Sequence, residues 1–232
     1  MAVPRFRATQ LHRNGEWLHG LQPSEIDLIL AAARSRRFPA KSVMTFQGDP
    51  ADHFLLMWEG RARYFFETPN GRKVILMWIS PGDVIGATAL VSRASSYIAS
   101  TEAVRESIVL VWDRSRIRAL AHRFPQLLEN VLLIATNYFF WYVAAHAALV
   151  SQTARERLAH VLFGLAESIG EKVSGFTEID VTNEELANSA NITPFTTSRM
   201  ISSWERAGVI RKKRGKILVR SPEKLFFRVV GT

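Results

Sequence analysis

The chain has 232 residues, 47% of them hydrophobic, which allows two modest domains or one large one with real cores and argues against wholesale disorder. Lys and Arg number 30 against 21 Asp and Glu, and the formal charge of +9 favours a polyanionic partner, either nucleic acid or an anionic membrane face. The absence of cysteine excludes disulfides, thiolate zinc sites, cysteine-ligated iron–sulfur clusters and cysteine nucleophiles.

Met1 to Gln10 carries Arg5 and Arg7 but no apolar run, so no signal peptide is expected. Pro23-Ser24-Glu25 predicts the start of a short helix, capped by Ser24, with Ile26, Leu28, Ile29 and Leu30 as its apolar face. Beyond Pro39 the texture changes to short β-branched and aromatic runs broken by glycine. Strands are predicted at 43–46, 53–58, 62–66, 74–79 and 107–112, with Asn70-Gly71 as a hairpin turn signal. Such spacing predicts an antiparallel sandwich or barrel.

Phe124-Pro125 opens a long helical stretch. Leu128, Val131, Ala135, Tyr138, Tyr142, Ala145 and Leu149 recur at spacings of three and four, a heptad seam that calls for a partner helix. A second face with Leu132, Phe139 and Val143 is expected to cover the β-domain. The uncharged run Val131–Val150 also has the length of a membrane span. That rival would put the β-domain and the basic tail on opposite sides of a bilayer, and a buried dimer helix is preferred.

Thr153-Ala154-Arg155-Glu156 is a capping box that restarts the helix, and 171–178 reads as a loop. Thr182-Asn183-Glu184-Glu185 is a second capping box, and Thr193-Pro194 reads as an N-cap followed by proline at the first helical position. Two short helices joined at Ala190-Asn191 make a helix-turn-helix. In the second, Met200, Ile201 and Trp204 point inward, leaving Phe195, Thr196, Ser198, Arg199 and Ser202 on the surface. Arg199 is placed to reach a base edge. Arg214-Gly215 predicts the tip of a wing hairpin. From Arg199 to Arg220 there are eight basic residues against one acidic, Glu205, so most of the net charge is focused here.

In this order the parts resemble the cyclic-AMP receptor protein/FNR superfamily of bacterial regulators. The likeness rests on Gly48-Asp49, Trp58-Glu59-Gly60, Pro81 to Gly86, Thr153 to Leu158 and Val181 to Val219, and runs from about Ser42 to Val219. It implies an α+β chain. Residues 1–123 would form an N-terminal helix and a jelly-roll, cyclic-nucleotide-binding-like sensor. Residues 124–150 would be a dimerisation helix, and 151–232 a winged helix-turn-helix. By resemblance Arg199 matches the guanine-reading arginine, and Thr182, Thr193 and Thr196 match phosphate-holding positions. Pro194 and Phe195 depart from the pattern, and Phe195 can touch a thymine methyl instead. Ser202 and Lys216 complete the expected DNA contacts. The implied partners are double-stranded DNA, a second copy of the chain and RNA polymerase, in the cytoplasm and without a membrane.

The sensor departs further. The family's glutamate and its arginine–serine pair for cyclic AMP fall on Ala87, Tyr97 and Ile98, and the dimer-helix contacts on Tyr142 and Val143. A phosphate buried there without a cation would be costly, so cyclic AMP in the usual manner is not expected. An apolar site of Ala87, Tyr97, Ile98, Phe139 and Tyr142 would suit a hydrophobic ligand or haem, or is simply filled core. His53, His122, His146 and His160 are the haem-ligand candidates. No phosphate-binding glycine loop, metal-spaced cluster or nucleophile elbow suggests an enzyme. The alternative function is a tethered or soluble ligand sensor without specific DNA binding.

Overall fold

A computed structural model describes residues 15–93 and 95–225, so the Met1–Gln10 stretch lies outside the described residues. The chain divides into two compact units, 1–140 and 141–232, within its longest helix.

In the first unit a 3₁₀ turn, Gly15–Leu18, precedes α1 (Pro23–Ala31). The cap is Gln22 rather than Ser24: Pro23 occupies the first helical position and the Glu25 carboxylate accepts from the Gln22 N–H at 2.8 Å. Ile29 and Leu30 are buried, whereas Leu28 faces solvent.

Eight strands follow: β1 (Arg34–Phe38), β2 (Val43–Thr45), β3 (His53–Glu59), β4 (Ala62–Glu67), β5 (Lys73–Ile79), β6 (Val84–Ile85), β7 (Ser100–Ala103) and β8 (Ser107–Asp113). They form two four-stranded antiparallel sheets, ordered β1-β8-β3-β6 and β2-β7-β4-β5, the expected jelly roll. The interiors of β3 (Phe54 to Trp58) and β8 (Ile108 to Trp112) are apolar because both faces of their sheet are covered. Leu55, Met57, Val109 and Val111 join one cluster with Ala62, Ile79 and Ala103 of the opposite sheet. Phe54, Leu56, Leu110 and Trp112 alternate with them and pack against Trp17, Ile29, Leu30, Ile117, Leu120 and Leu127. The Trp112 indole N–H donates to the Ile29 carbonyl at 2.9 Å.

α2 (Arg114–Arg123) was not anticipated, because eight of its ten residues are polar or alanine. Its Ile117, Leu120 and Ala121, spaced i, i+3 and i+4, nevertheless reach the core. α3 (Gln126–Ser151) then begins after Pro125. Its face toward the first unit's core consists of Leu127, Asn130, Val131 and Ile134, not Leu132, Phe139 and Val143. The buried Asn130 amide donates to the carbonyls of Trp17 (2.8 Å) and His19 (2.9 Å), tying the N-terminal turn to the helix. Val131 and Tyr138 therefore leave the predicted seam. The exposed apolar row is Leu128, Leu132, Phe139, Tyr142 and Leu149, which with Ala135 keeps heptad spacing in a shifted register. By length and composition α3 is also long and apolar enough to cross a membrane.

In the second unit α4 (Ala154–Ile169) restarts after the Thr153 cap. Where a loop was expected, β9 (Glu171–Val173) and β10 (Phe176–Asp180) form a hairpin. Ser174 and Gly175, at φ of +47° and +77°, supply the two left-handed residues that its tight turn needs. α5 (Asn183–Ala190), α6 (Pro194–Arg206), β11 (Ile210–Lys213) and β12 (Lys216–Val219) complete a winged fold, with sheet order β11-β12-β10-β9.

Candidate nucleic-acid interface and sensor surface

The helix pair is built from local signals. The Thr182 hydroxyl accepts from the Glu185 N–H at 3.2 Å, and the Glu185 carboxylate accepts from the Thr182 N–H at 2.8 Å. Thr193 caps α6 by accepting from the Thr196 N–H at 3.1 Å. Between the helices Asn191 adopts a left-handed backbone, φ +50°. One positioning residue escaped the sequence reading. Arg157 of α4 donates to the Ala190 carbonyl (3.0 Å), the Asn191 carbonyl (3.4 Å) and the Gln152 carbonyl (2.8 Å), placing a cation on the C-terminal end of α5.

Amphipathicity sets the roll of α6. Thr197, Ile201 and Trp204 are buried and Met200 half-buried, so Pro194, Phe195, Ser198 and Arg199 are presented outward. Phe195 is 77% exposed. Thr196 is half-buried, its hydroxyl 2.9 Å from that of Thr193. Ser202 accepts from the Lys212 ammonium at 3.0 Å.

The wing closes at Arg214-Gly215, where Gly215 takes φ +71° and Lys213 pairs with Lys216. Its charges are less available than the sequence suggests. Lys216 and Lys213 both bind the Glu178 carboxylate, and Lys212 lies 3.1 Å from that of Glu205. The hydrogen bond from Lys216 holds the Glu178 carboxyl below its ordinary range. Arg211 and Arg220 stack on Phe176, at 4.7 and 5.5 Å from the ring centroid.

Of the aromatic residues expected on the sensor side, Tyr97 is buried, while Phe139 and Tyr142 are exposed. The Tyr97 hydroxyl is committed to β3, donating to the His53 carbonyl (3.0 Å) and accepting from the His53 N–H (3.2 Å). This closure depends on Gly86, at φ +77°, where a Cβ would come within 2.6 Å of the His53 carbonyl oxygen and 2.9 Å of the Tyr97 ring. Ala87 opens the next 3₁₀ turn, while Ile98 and Phe139 are each 65% exposed. Tyr142 belongs to the second unit, its ring 5.4 Å from that of Trp141. Of the haem candidates, His53 lies 3.4 Å from Asp113, His160 is 3.1 Å from the Gln152 side-chain oxygen, and His122 and His146 are exposed. Among the described residues no group of three His, Cys, Asp or Glu could hold a metal ion.

A different feature emerges nearby. A cleft of about 170 Å³ is lined by Glu16, Gly82, Asp83, Val84, Ile134, Asn137 and Tyr138. Burial raises the Asp83 carboxyl to about 6, against the opposing hydrogen bond from the Ser80 N–H, and the charge of Glu16 adds to the rise. Pro81-Gly82-Asp83 had been legible only as a turn.

Fold and site together define a β-roll regulator carrying a winged helix-turn-helix. The cyclic nucleotide-binding domain family matches residues 35–124 and the Crp-like helix-turn-helix domain family matches residues 156–226. The chain is 27% identical to the cyclic AMP receptor protein of Thermus thermophilus over 87% of its length and 91% of the relative's. It is 24% identical to electron transport regulator A of Shewanella oneidensis, over 86% of the chain and 80% of that protein. The solved structure of the c-di-GMP-responsive global regulator CLP of Xanthomonas campestris superposes with a TM-score of 0.76 at 16% identity, covering 86% of this chain and all of that one. FixK2 of Bradyrhizobium japonicum gives 0.72 at 21%, over 83% of this chain and 95% of that one. The chain belongs to the CRP/FNR superfamily of transcriptional regulators.

Proposed function

We propose that this CRP-type regulator acts as a homodimer on near-palindromic duplex DNA. Each protomer would read guanine with Arg199 and hold phosphates through Thr182, Thr193 and Thr196. Pro194, Phe195 and Ser202 would complete the surface, with Phe195 against a thymine methyl. The observation that carries this reading is the roll of α6, which buries Thr197, Ile201 and Trp204 and leaves Arg199 and Phe195 outside. Residues 1–123 serve as sensor, 124–150 as dimerisation helix and 151–232 as DNA-binding domain. RNA polymerase is the downstream partner and the cytoplasm the compartment.

The effector is something other than cyclic AMP held in the family's usual way, or no small molecule at all. Ala87, Tyr97 and Ile98 offer no cation to a phosphate, and the Tyr97 hydroxyl is already paired. A titration of the protein with millimolar cyclic AMP is expected to give no binding heat, and saturable heat would contradict this reading. Switching would be a population shift in which the helix pair re-aims the two recognition helices through the break between Ser151 and Ala154.

The direct test is Arg199→Ala in a binding assay with matched and scrambled duplexes. Base discrimination should fall by about 1–3 kcal/mol, with little change on scrambled DNA. Equal losses on both would show that Arg199 does not read a base.

A further inference from the structure

We propose that Arg155, at the start of α4, is a DNA-backbone contact, and that with Arg206 and Ser203 it forms a phosphodiester notch beside Arg199. The site lies outside both the helix-turn-helix caps and the wing, and it rests on the DNA-binding reading above.

A recess of about 280 Å³ is lined by Arg155, Arg199, Met200, Ser203, Trp204 and Arg206. The Arg155 guanidinium sits over the Trp204 ring, 5.7 Å from its centroid. Because that ring is buried in the domain core, it is a fixed platform. A guanidinium stacked in this way keeps its N–H edges free for an anion. Arg199, Ser203 and Arg206 are spaced i, i+4 and i+7, so they share one stripe of α6. Among the described residues no carboxylate pairs with Arg155, Arg199 or Arg206. Three unneutralised cations around one recess repel each other until an anion enters.

The wing is the contrast. Lys212, Lys213 and Lys216 are each held by a carboxylate, so a phosphate must displace Glu205 or Glu178 to use them. The electrostatic footprint therefore extends beyond the wing to the start of α4, since the wing lysines are engaged and Arg214 at the wing tip is left as its open cation among the described residues. A phosphodiester fits the notch because the stripe that presents Arg199 to a base continues into it, so a base and a neighbouring phosphate are met by one side of one helix.

The test is the salt dependence of duplex binding by the full chain, comparing wild type with Arg155→Gln, Arg155→Lys, Arg206→Gln and Lys216→Gln. Arg155→Gln and Arg206→Gln should each lower the slope of log affinity against log salt by about 1 and weaken matched and scrambled duplexes by the same several-fold factor. Lys216→Gln should change the slope less. Arg155→Lys keeps a cation and should retain the slope, which separates lost charge from lost packing on Trp204. An unchanged slope in Arg155→Gln, with wild type binding normally, overturns this inference alone. Displacement of DNA by inorganic phosphate at constant ionic strength also overturns it, because the notch would then be a free-anion site. A wild-type chain that binds no duplex overturns the underlying DNA reading.

Discussion

Asp83 shows how one buried side chain sets a pH response. Its carboxyl is raised from 3.8 to about 6, so the folded chain binds the proton more tightly than the unfolded chain. Stability from this group is full below about pH 4, declines as pH rises toward 6, and stays low above that. At about 1.4 kcal/mol per pH unit the loss is bounded at about 3 kcal/mol. Asp83→Asn retains an oxygen to accept the Ser80 N–H and removes the charge. Urea denaturation should show the variant more stable than wild type at pH 8 and nearly equal to it at pH 4. A variant destabilised equally at both pH values would mean that the carboxylate is held by an attraction the cleft does not show. Asp83 also marks the limit of reading a sequence by residue type. A carboxylate after Pro-Gly reads as a solvated turn, and only the packing of Tyr138 and Glu16 reveals its environment. Arg157 and Arg155 were hidden in the same way, since the Ala190 carbonyl and the Trp204 ring lie far from them in sequence.

At the scale of elements, legibility followed local chemistry. The caps at Thr153, Thr182 and Thr193, the Asn191 turn and the Arg214-Gly215 wing are each specified within a few residues, and the structure has them where the sequence implied. What failed to show were elements whose reason is tertiary. β1 is Arg-Ser-Arg-Arg-Phe, held as a strand by pairing with β8 and by Arg37–Glu106 at 2.9 Å. β7, Ser-Thr-Glu-Ala, is buried without a large apolar residue. The Thr101–Thr45 hydroxyl bond (2.9 Å) and the pairing of Glu102 with Arg63 and Lys73 replace one. The caps carry a prediction of their own. Thr182→Ala removes the hydroxyl that accepts from the Glu185 N–H, while the backbone N–H of residue 182 still donates to the Glu185 carboxylate, a loss of about 1 kcal/mol. Amides of α5 should then exchange about fivefold faster by hydrogen–deuterium exchange. Unaltered exchange would show that packing alone fixes the helix start.

For the whole molecule the decisive element is α3, whose two apolar faces have different fates. Leu127, Asn130, Val131 and Ile134 are spent inside the first unit, and the row through Leu132 and Phe139 is left uncovered. A helix apolar on both sides satisfies the composition of a membrane span, and it equally suits a second copy of itself. Phe139→Glu should convert a dimer to a monomer in sedimentation equilibrium while leaving the near-ultraviolet signal of Trp17 and Trp112 unchanged. A chain that stays dimeric would place the interface elsewhere. The sequence seam had the right period but a shifted register, because period alone cannot tell which face meets the β-roll.

The central claim is that two copies of this chain present their α6 helices to one specific operator. Its most direct test is selection of bound sites from a random duplex library by the purified full-length protein. Enrichment of a two-fold symmetric site, abolished by Arg199→Ala, is the expected result. A folded, dimeric protein that enriches no sequence over the input library would contradict it.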